Sequence, residues 1–424
     1  MKRILTLFLC LTLGLILAHG KDFESASTVD RTRAQIAKLP KDDIWWTVYG
    51  EDMGWNFKNL HRMYPTANIY REGQVRQLDH NLSAAIEEFK VETPDGKKSF
   101  KDFLYSDHST TMGIVILHKG EIVFEHYPRM EPYEKPIYWS VTKVFISTIL
   151  AILEDRGEVD VNEPIDFYLP ALGGSDYAGV KIRNILDMAS GVDCSDNYVD
   201  REACYYQFAA SIGDAYWDDS SPDNPYTFFA NLKTGTKEPQ GERFDYSGAN
   251  TFVIGWLIEE ITGMPFQDVL TKEIWSKIGA EGDASMLAPR YGVPVTDGGL
   301  LARLRDVARF GLLFTPSYKV VTSEKIISDR YLKLILEGGN PELLRNARFG
   351  GWTTDDTKYN IYQWDNVFKN NDIYKGGWGG QGLLVNPDRD LVAVYTGYFK
   401  KDQSEIRLLR ILRTVLDELY GDEK

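Results

Sequence analysis

Apolar residues recur along the chain in two periods, and each change of period marks a change of element. Residues 110–118 form an apolar run rich in β-branched side chains, Lys119-Gly120 supplies a turn, and residues 121–127 form a second run. Two such runs about a short turn predict a β-hairpin. A helical run follows, headed by Ser140 and stopped near Asp155-Arg156-Gly157, with glycine where a helix ends. The 3.6-residue spacing continues through 182–189, 251–262 and 300–314, and Gly263-Met264-Pro265 punctuates the second of these. Residues 359–364, 382–385 and 391–395 read as strands, with Asn386-Pro387-Asp388 turning between the last two. Residues 405–419 form a final amphipathic helix. Strands at both ends with helices between predict an α/β (α+β) fold. Its antiparallel sheet is built from both chain ends and flanked by helices, and a mostly helical lobe is inserted.

The first twenty residues follow a different pattern. Lys2 and Arg3 precede an apolar stretch over 4–18, and Ala18-His19-Gly20 puts small residues at the −3 and −1 positions of a cleavage site. This predicts a signal peptide cut after Gly20 and a secreted or periplasmic protein. The remainder, 21–424, is expected to be one domain. An α/β lobe would span about 45–150 and 300–424, and a helical lobe about 151–299. Residues 21–41 are polar, and the aromatic-rich stretch 45–61 is expected to pack.

No later run is long enough to span a membrane. The formal charge of −14 becomes −16 once Lys2 and Arg3 are lost, which disfavours nucleic acid and anionic membrane surfaces as partners. Cys194 and Cys204 remain, and in an oxidising compartment they are expected to bond, with two separate thiols as the alternative.

Candidate chemistry begins at Ser140. Lys143 lies three residues on, and no other serine in the chain has a lysine at that spacing. A helix puts i and i+3 on one face, so hydroxyl and amine can meet, and a serine needs a neighbouring base to become a nucleophile. The histidines explain why that base would be unusual. His61, His80, His108, His118 and His126 all precede Ser140, whereas an α/β-hydrolase needs its histidine after the nucleophile. There is no Gly-x-Ser-x-Gly elbow and no His-Glu-x-x-His helix, and the scattered histidines and cysteines predict neither metal nor cofactor. The base is then a lysine, a tyrosine or a carboxylate, and burial or a nearby cation must bring an amine or a phenol into range.

Two further segments extend the pattern. Gly241-Glu242-Arg243-Phe244-Asp245-Tyr246-Ser247-Gly248-Ala249-Asn250 precedes an apolar helical run, and Gly376-Gly377-Trp378-Gly379-Gly380-Gln381 precedes a strand. With Ser140-x-x-Lys143, their order and spacing resemble the serine β-lactamase and penicillin-binding superfamily. The resemblance is closest to the class C β-lactamase-like esterases and the 6-aminohexanoate-dimer (nylon-oligomer) hydrolases. Trp55-Asn56-Phe57-Lys58-Asn59, residues 182–191 and Gly298-Gly299-Leu300-Leu301-Ala302 are similar to that family as well.

The resemblance implies an acyl-enzyme on Ser140. It implies that Lys143 lowers the proton affinity of Ser140 and Tyr246, and that Tyr246 is the general base and then the acid. It places the backbone N–H groups of Ser140 and Gln381 in the oxyanion hole, and Trp378, Gly379 and Gly380 at the strand that edges the site. Trp378 stands where β-lactamases carry a lysine that attracts a carboxylate, with Lys375 three residues away, and its indole favours a neutral or apolar acyl group. The family's Tyr-x-Asn is also altered. Gly248 is two residues after Tyr246 and Asn250 four after, which leaves Asn250 either to touch substrate or to cap the 251–262 helix. A literal Lys233-Thr234-Gly235 precedes Tyr246 and reads as a loop.

The expected function is hydrolysis of a small ester or amide. The alternatives are a D-amino-acid peptidase or β-lactamase acting on cell-wall-like amides, and a non-catalytic binder on the same fold.

Overall fold

The central feature is a seven-stranded antiparallel sheet whose strands come from two distant parts of the chain. The computed structural model describes residues 25, 28–38, 48–345, 347, 354–404 and 408–421. The expected leader at 1–20, residues 45–47 of the aromatic stretch and residues 405–407 of the last helix lie outside the described residues. The chain divides into two units after Lys38. In the first, the helix Val29–Ile36 is capped by the Thr28 hydroxyl, which accepts from Arg31 N. The features below belong to the second.

Its strands are β1 (Thr66–Ile69), β2 (Lys90–Thr93), β3 (Gly96–Ser99), β4 (Gly113–His118), β5 (Glu121–His126), β6 (Ala284–Leu287), β7 (Leu300–Leu301), β8 (Thr357–Ile361), β9 (Trp364–Phe368), β10 (Ile373–Gly377), β11 (Gln381–Asn386) and β12 (Leu391–Thr396). The large sheet runs β5-β4-β12-β11-β10-β9-β8, and a smaller one runs β1-β6-β7. The early hairpin β4–β5 joins the late strands through β12, where Val115 faces Val394 and Ile114 faces Tyr395. The sheet is thus built from both chain ends, as the periodicity predicts.

Alternation along the strands gives the sheet two buried faces. Ile114, Ile116, Leu384 and Ala393 pack with Leu412 and Val415 of the helix Leu408–Tyr420. Val115, Leu117, Leu383 and Val392 belong to the larger core with Val307 and Phe310 of the helix Leu304–Leu312 and Phe145 of the helix Lys143–Asp155. The Phe145 and Phe310 rings stack at 3.8 Å.

Two expectations change. Residues 359–364 are not one strand but parts of β8 and β9 with the turn Tyr362-Gln363 between them, where φ is 46° and 66°. Left-handed φ at both positions of a two-residue loop normally calls for Asn or Gly. Here tertiary bonds hold it: Tyr362 N donates to Asp187 Oδ1 at 2.9 Å, and Gln363 Nε2 donates to Leu186 O at 3.1 Å. Residues 300–301 form β7 before the helix starts at Leu304.

Candidate active site

The chain enters the site through a pinned segment. Ile137 bridges Leu301, and Tyr138 N donates to Leu300 O at 2.9 Å. Trp139 follows with φ of 45°, an uncommon value for a bulky residue and one that marks strain where a side chain must be aimed. Ser140 sits in a short 3₁₀ turn, Trp139–Thr142, that runs into the helix Lys143–Asp155. This puts the Lys143 Nζ 3.4 Å from Ser140 Oγ. Lys143 is buried and also donates to the Asp297 carbonyl.

Tyr246 comes from the segment that leads into the helix Gly248–Thr262. Its buried phenol hydrogen-bonds the Ser140 side chain. Two amines flank its ring, Lys143 Nζ at 5.3 Å and Lys375 Nζ at 4.8 Å from the centroid. The three family-implied groups Ser140, Lys143 and Tyr246 therefore converge.

Lys375 is the residue that motif matching passed over. It lies on β10, fully buried, with Nζ 2.6 Å from Asp365 Oδ1 and 3.3 Å from Tyr246 Oη. Asp365 is on neighbouring β9 and also accepts from Gly376 N at 2.9 Å. The strand edging the site does carry a lysine, three residues before Trp378. Because Asp365 pairs with it, its charge is not presented to a substrate carboxylate. The sequence signal was present: a lysine directly before the Gly-Gly pair.

The charges follow from burial. Desolvation pushes the Tyr246 phenol well above its ordinary value, aided by Asp365 and Asp196 and opposed by the Ser140 hydrogen bond. Burial pushes the Lys375 amine down to about 8, Asp365 opposing and Lys143 assisting. Asp196 is driven up to about 6 by burial, with Lys143 opposing. Asp214 and Asp297, beside the cavity, are raised by burial too.

Ser140, Lys143, Tyr198, Tyr205, Asp297 and Trp378 line a cavity of ≈ 20 Å³, room for one water. Its aromatic wall is built by Trp139 and Trp378, with buried Phe57 packed against both. Trp378 lies 5.9 Å from each of the other two rings, and Phe399 backs it at 5.1 Å. Trp378 is in the turn between β10 and β11, not on the strand itself. Gly380 N donates to Gly377 O at 3.2 Å, and Gly379 and Gly380 have φ of 80° and 91°, which glycine supplies without strain.

Four expected site residues, Gly379, Gly380, Gln381 and Asn250, are not among those that line the cavity. Gln381 starts β11 opposite Gly377, and its side chain is committed to the Trp378 carbonyl at 3.0 Å and the Gly397 backbone at 3.1 Å. The residue of this hairpin that lines the cavity is Trp378. Asn250 neither caps its helix nor faces the cavity. Ser247 is the N-cap residue, and Asn250 is buried one turn in, accepting from Tyr177 Oη at 2.9 Å. The Lys233-Thr234-Gly235 segment is a loop, as expected. Cys194 and Cys204 form a disulfide.

The sequence profile of the β-lactamase family matches residues 97–410, most of the chain and all four of Ser140, Lys143, Tyr246 and Lys375. The chain belongs to the β-lactamase family. This is a family of serine hydrolases, and the protein is an enzyme of that class. It is 26% identical over 343 residues to the 6-aminohexanoate-dimer hydrolase of Paenarthrobacter ureafaciens, covering 80% of this chain and 84% of that one. Among solved structures, a Bacillus anthracis protein provisionally named a 6-aminohexanoate-dimer hydrolase superposes with a TM-score of 0.75 at 20% identity, covering 91% of this chain and 97% of the other. The D-amino acid amidase of Ochrobactrum anthropi SV3 superposes with a TM-score of 0.52 at 19% identity, covering 73% and 95%.

One β-lactamase-fold contact gives a direct test of the site's geometry. A Cβ on Gly377 would lie 2.4 Å from the Tyr138 carbonyl, two residues before Ser140. Gly377→Ala should push β10 away from the segment that carries Ser140. Misplacement near 1 Å costs up to about 10²-fold, so kcat is expected to fall roughly 10–100-fold while circular dichroism stays unchanged.

Proposed function

We propose that this β-lactamase-family enzyme hydrolyses a small ester or amide with a neutral, apolar acyl group, through an acyl-enzyme on Ser140. The observation that carries the reading is the triangle of half-buried Ser140 with buried Lys143 and Tyr246, with Lys375 bonded to the phenol. As Ser140 attacks the acyl carbon, its proton passes to Tyr246 Oη while the phenol proton passes to Lys375 Nζ. The Lys143 ammonium, 3.4 Å from Ser140 Oγ, stabilises the developing alkoxide. Carbonyl charge falls on the N–H groups of Ser140 and Trp378. Trp378 replaces Gln381 in this role because it lines the cavity and Gln381 does not face it. Removing such a donor typically costs about 2.7–4 kcal/mol of transition-state stabilisation. The relay then runs backwards to protonate the leaving alcohol or amine, and a water in the cavity beside Ser140 completes turnover by the same route.

The acyl preference follows from Trp139 and Trp378, which bring aromatic rings to the cavity beside Ser140. The Paenarthrobacter relative's activity as a 6-aminohexanoate-dimer hydrolase supports an amide or ester over a β-lactam. The disulfide and the leader pattern support export to an oxidising compartment.

The reading is tested with a p-nitrophenyl acyl ester, a linear amide and a chromogenic cephalosporin side by side, and by mass spectrometry after a fluorophosphonate. Ester or amide turnover with one adduct on the Ser140 peptide is the expected result. Efficient cephalosporin hydrolysis would instead favour the cell-wall amide class. Absence of any adduct would favour a non-catalytic binder.

The relay has a pH signature. Lys375 and Tyr246 share protons, and the pair must lose one before it can accept another. Lys375 is protonated below about 8, so kcat should rise with pH and level off above about 8. Lys375→Met should lower kcat roughly 100-fold and abolish that rise, as read from the pH dependence of kcat on the ester.

A further inference from the structure

Tyr198, one of the residues lining the cavity, sits in a short closed loop. The disulfide joins Cys194 to Cys204, with Cα atoms 5.0 Å apart, and closes a ring over residues 195–203. One foot of the ring lies along the tyrosine segment. Asp196 N donates to Tyr246 O at 3.4 Å, Ser195 Oγ to Asp245 Oδ2 at 2.6 Å, and Ser247 Oγ to the Cys194 carbonyl at 2.5 Å. Lys237 secures that foot, 2.5 Å from Ser195 Oγ and 3.0 Å from Asp193. Asp196 Oδ1 then accepts from Gly248 N at 2.6 Å, the first residue of the helix after Tyr246.

The other foot is Cys204, the first residue of the helix Cys204–Ile212. The next residue, Tyr205, donates to Asp297 Oδ2 at 2.9 Å, and the Asp297 carbonyl accepts from Lys143. Tyr198, within the ring, ties the feet together, 3.0 Å from Asp196 Oδ2 and 3.2 Å from Tyr205 Oη. One foot thus reaches Tyr246 and the other reaches Lys143. The tip is held by local bonds: Val199 is 90% exposed, and Val199 N and Asp200 N both donate to Asn197 Oδ1.

We propose that the Cys194–Cys204 disulfide is a positioning element of the catalytic site, holding Asp196 against the Tyr246 segment and Tyr205 against Asp297. The oxidised protein is the active form, and opening the bond lowers turnover without unfolding the chain. The proposal rests on the serine-hydrolase reading above. The redox step is simple. A dithiol such as dithiothreitol gives up two electrons and two protons and closes to its own cyclic disulfide, the S–S bond breaks, and two thiols form.

The test compares three forms of the protein: oxidised, held in dithiothreitol, and the double variant Cys194→Ser with Cys204→Ser. Each is assayed for kcat and KM on a p-nitrophenyl ester, for the rate of fluorophosphonate labelling at Ser140, and for circular dichroism at the assay temperature. Both open forms are expected to lose roughly 10–100-fold in kcat, with KM changed less than threefold, slower labelling and an unchanged dichroism spectrum. Reoxidation should restore the reduced protein. A purely structural bond would lower the melting temperature and leave kcat alone. Equal kcat and labelling in all three forms therefore overturns the proposal. Should the double variant not fold, the reversibly reduced protein gives the answer. Unfolding of both open forms also overturns the proposal, because the bond would then hold the fold rather than the site. Absence of labelling in the oxidised protein overturns the hydrolase reading itself, and this proposal with it.

Discussion

Ser140→Ala is expected to lower kcat on an acyl ester by about 10⁵–10⁶-fold and to abolish fluorophosphonate labelling, since loss of a serine nucleophile in another hydrolase costs about that much. The size follows from the site. Lys143 and Tyr246 converge on one oxygen, and alanine leaves both with nothing to activate. The fold should tolerate the change. The hydroxyl lies at the cavity and takes part in the site's bonds, while the helix that follows is anchored by fully buried Phe145, Ile146 and Ile149. Unchanged circular dichroism and a melting temperature within a few degrees would show this. A second serine beside a lysine makes the assignment specific. Ser195 Oγ is 2.5 Å from Lys237 Nζ, but it donates to Asp245 Oδ2 at 2.6 Å and is committed there. The adduct should fall on the Ser140 peptide and not on the Ser195 peptide. Retention of more than about one hundredth of wild-type kcat in Ser140→Ala would rule out the acyl-enzyme.

How far the chain could be read in advance depended on the range of the forces involved. Helix and hairpin periods are local, so the β4–β5 hairpin and the helix after Ser140 were legible. The Tyr362-Gln363 turn was not, because neither residue favours left-handed φ. Asp187, Leu186 and Thr251 hold that turn from elsewhere in the chain. Motif order located Ser140, Lys143 and Tyr246, and the structure brings them together. It did not locate Lys375 or Asp365, whose roles depend on β9 and β10 lying side by side. Asp196 and Asp297 were invisible for the same reason: each reaches the site through a bond to a residue distant in sequence. Asn250 and Gln381 were placed by resemblance alone. The Asn250 amide is committed to Tyr177, and the Gln381 side chain, which that resemblance did not invoke, bonds Trp378 and Gly397.

Tyr246→Phe should lower kcat by about 10³–10⁴-fold with KM changed less than threefold, the upper range for loss of a general acid–base group. The phenol oxygen links Ser140 to Lys375, which lies 3.3 Å away on the far side. Without it the proton of Ser140 has no short path to an amine with a pKa near 8. Lys143 lies closer to Ser140, and in this mechanism it stays charged to stabilise the alkoxide. Phenylalanine keeps the ring, its contact with Phe244 at 6.2 Å and its place beside both ammonium groups, so packing should be preserved. The substitution therefore separates two roles that the wild-type site combines. Should Tyr246 act only as a ring that supports the two lysines, kcat will hardly change and the rise toward pH 8 will persist. Should it carry the proton, kcat will fall and that rise will disappear with it, because Lys375 then titrates without affecting Ser140. The kcat–pH profile of the variant, measured on the same ester from pH 6 to pH 9.5, distinguishes the two.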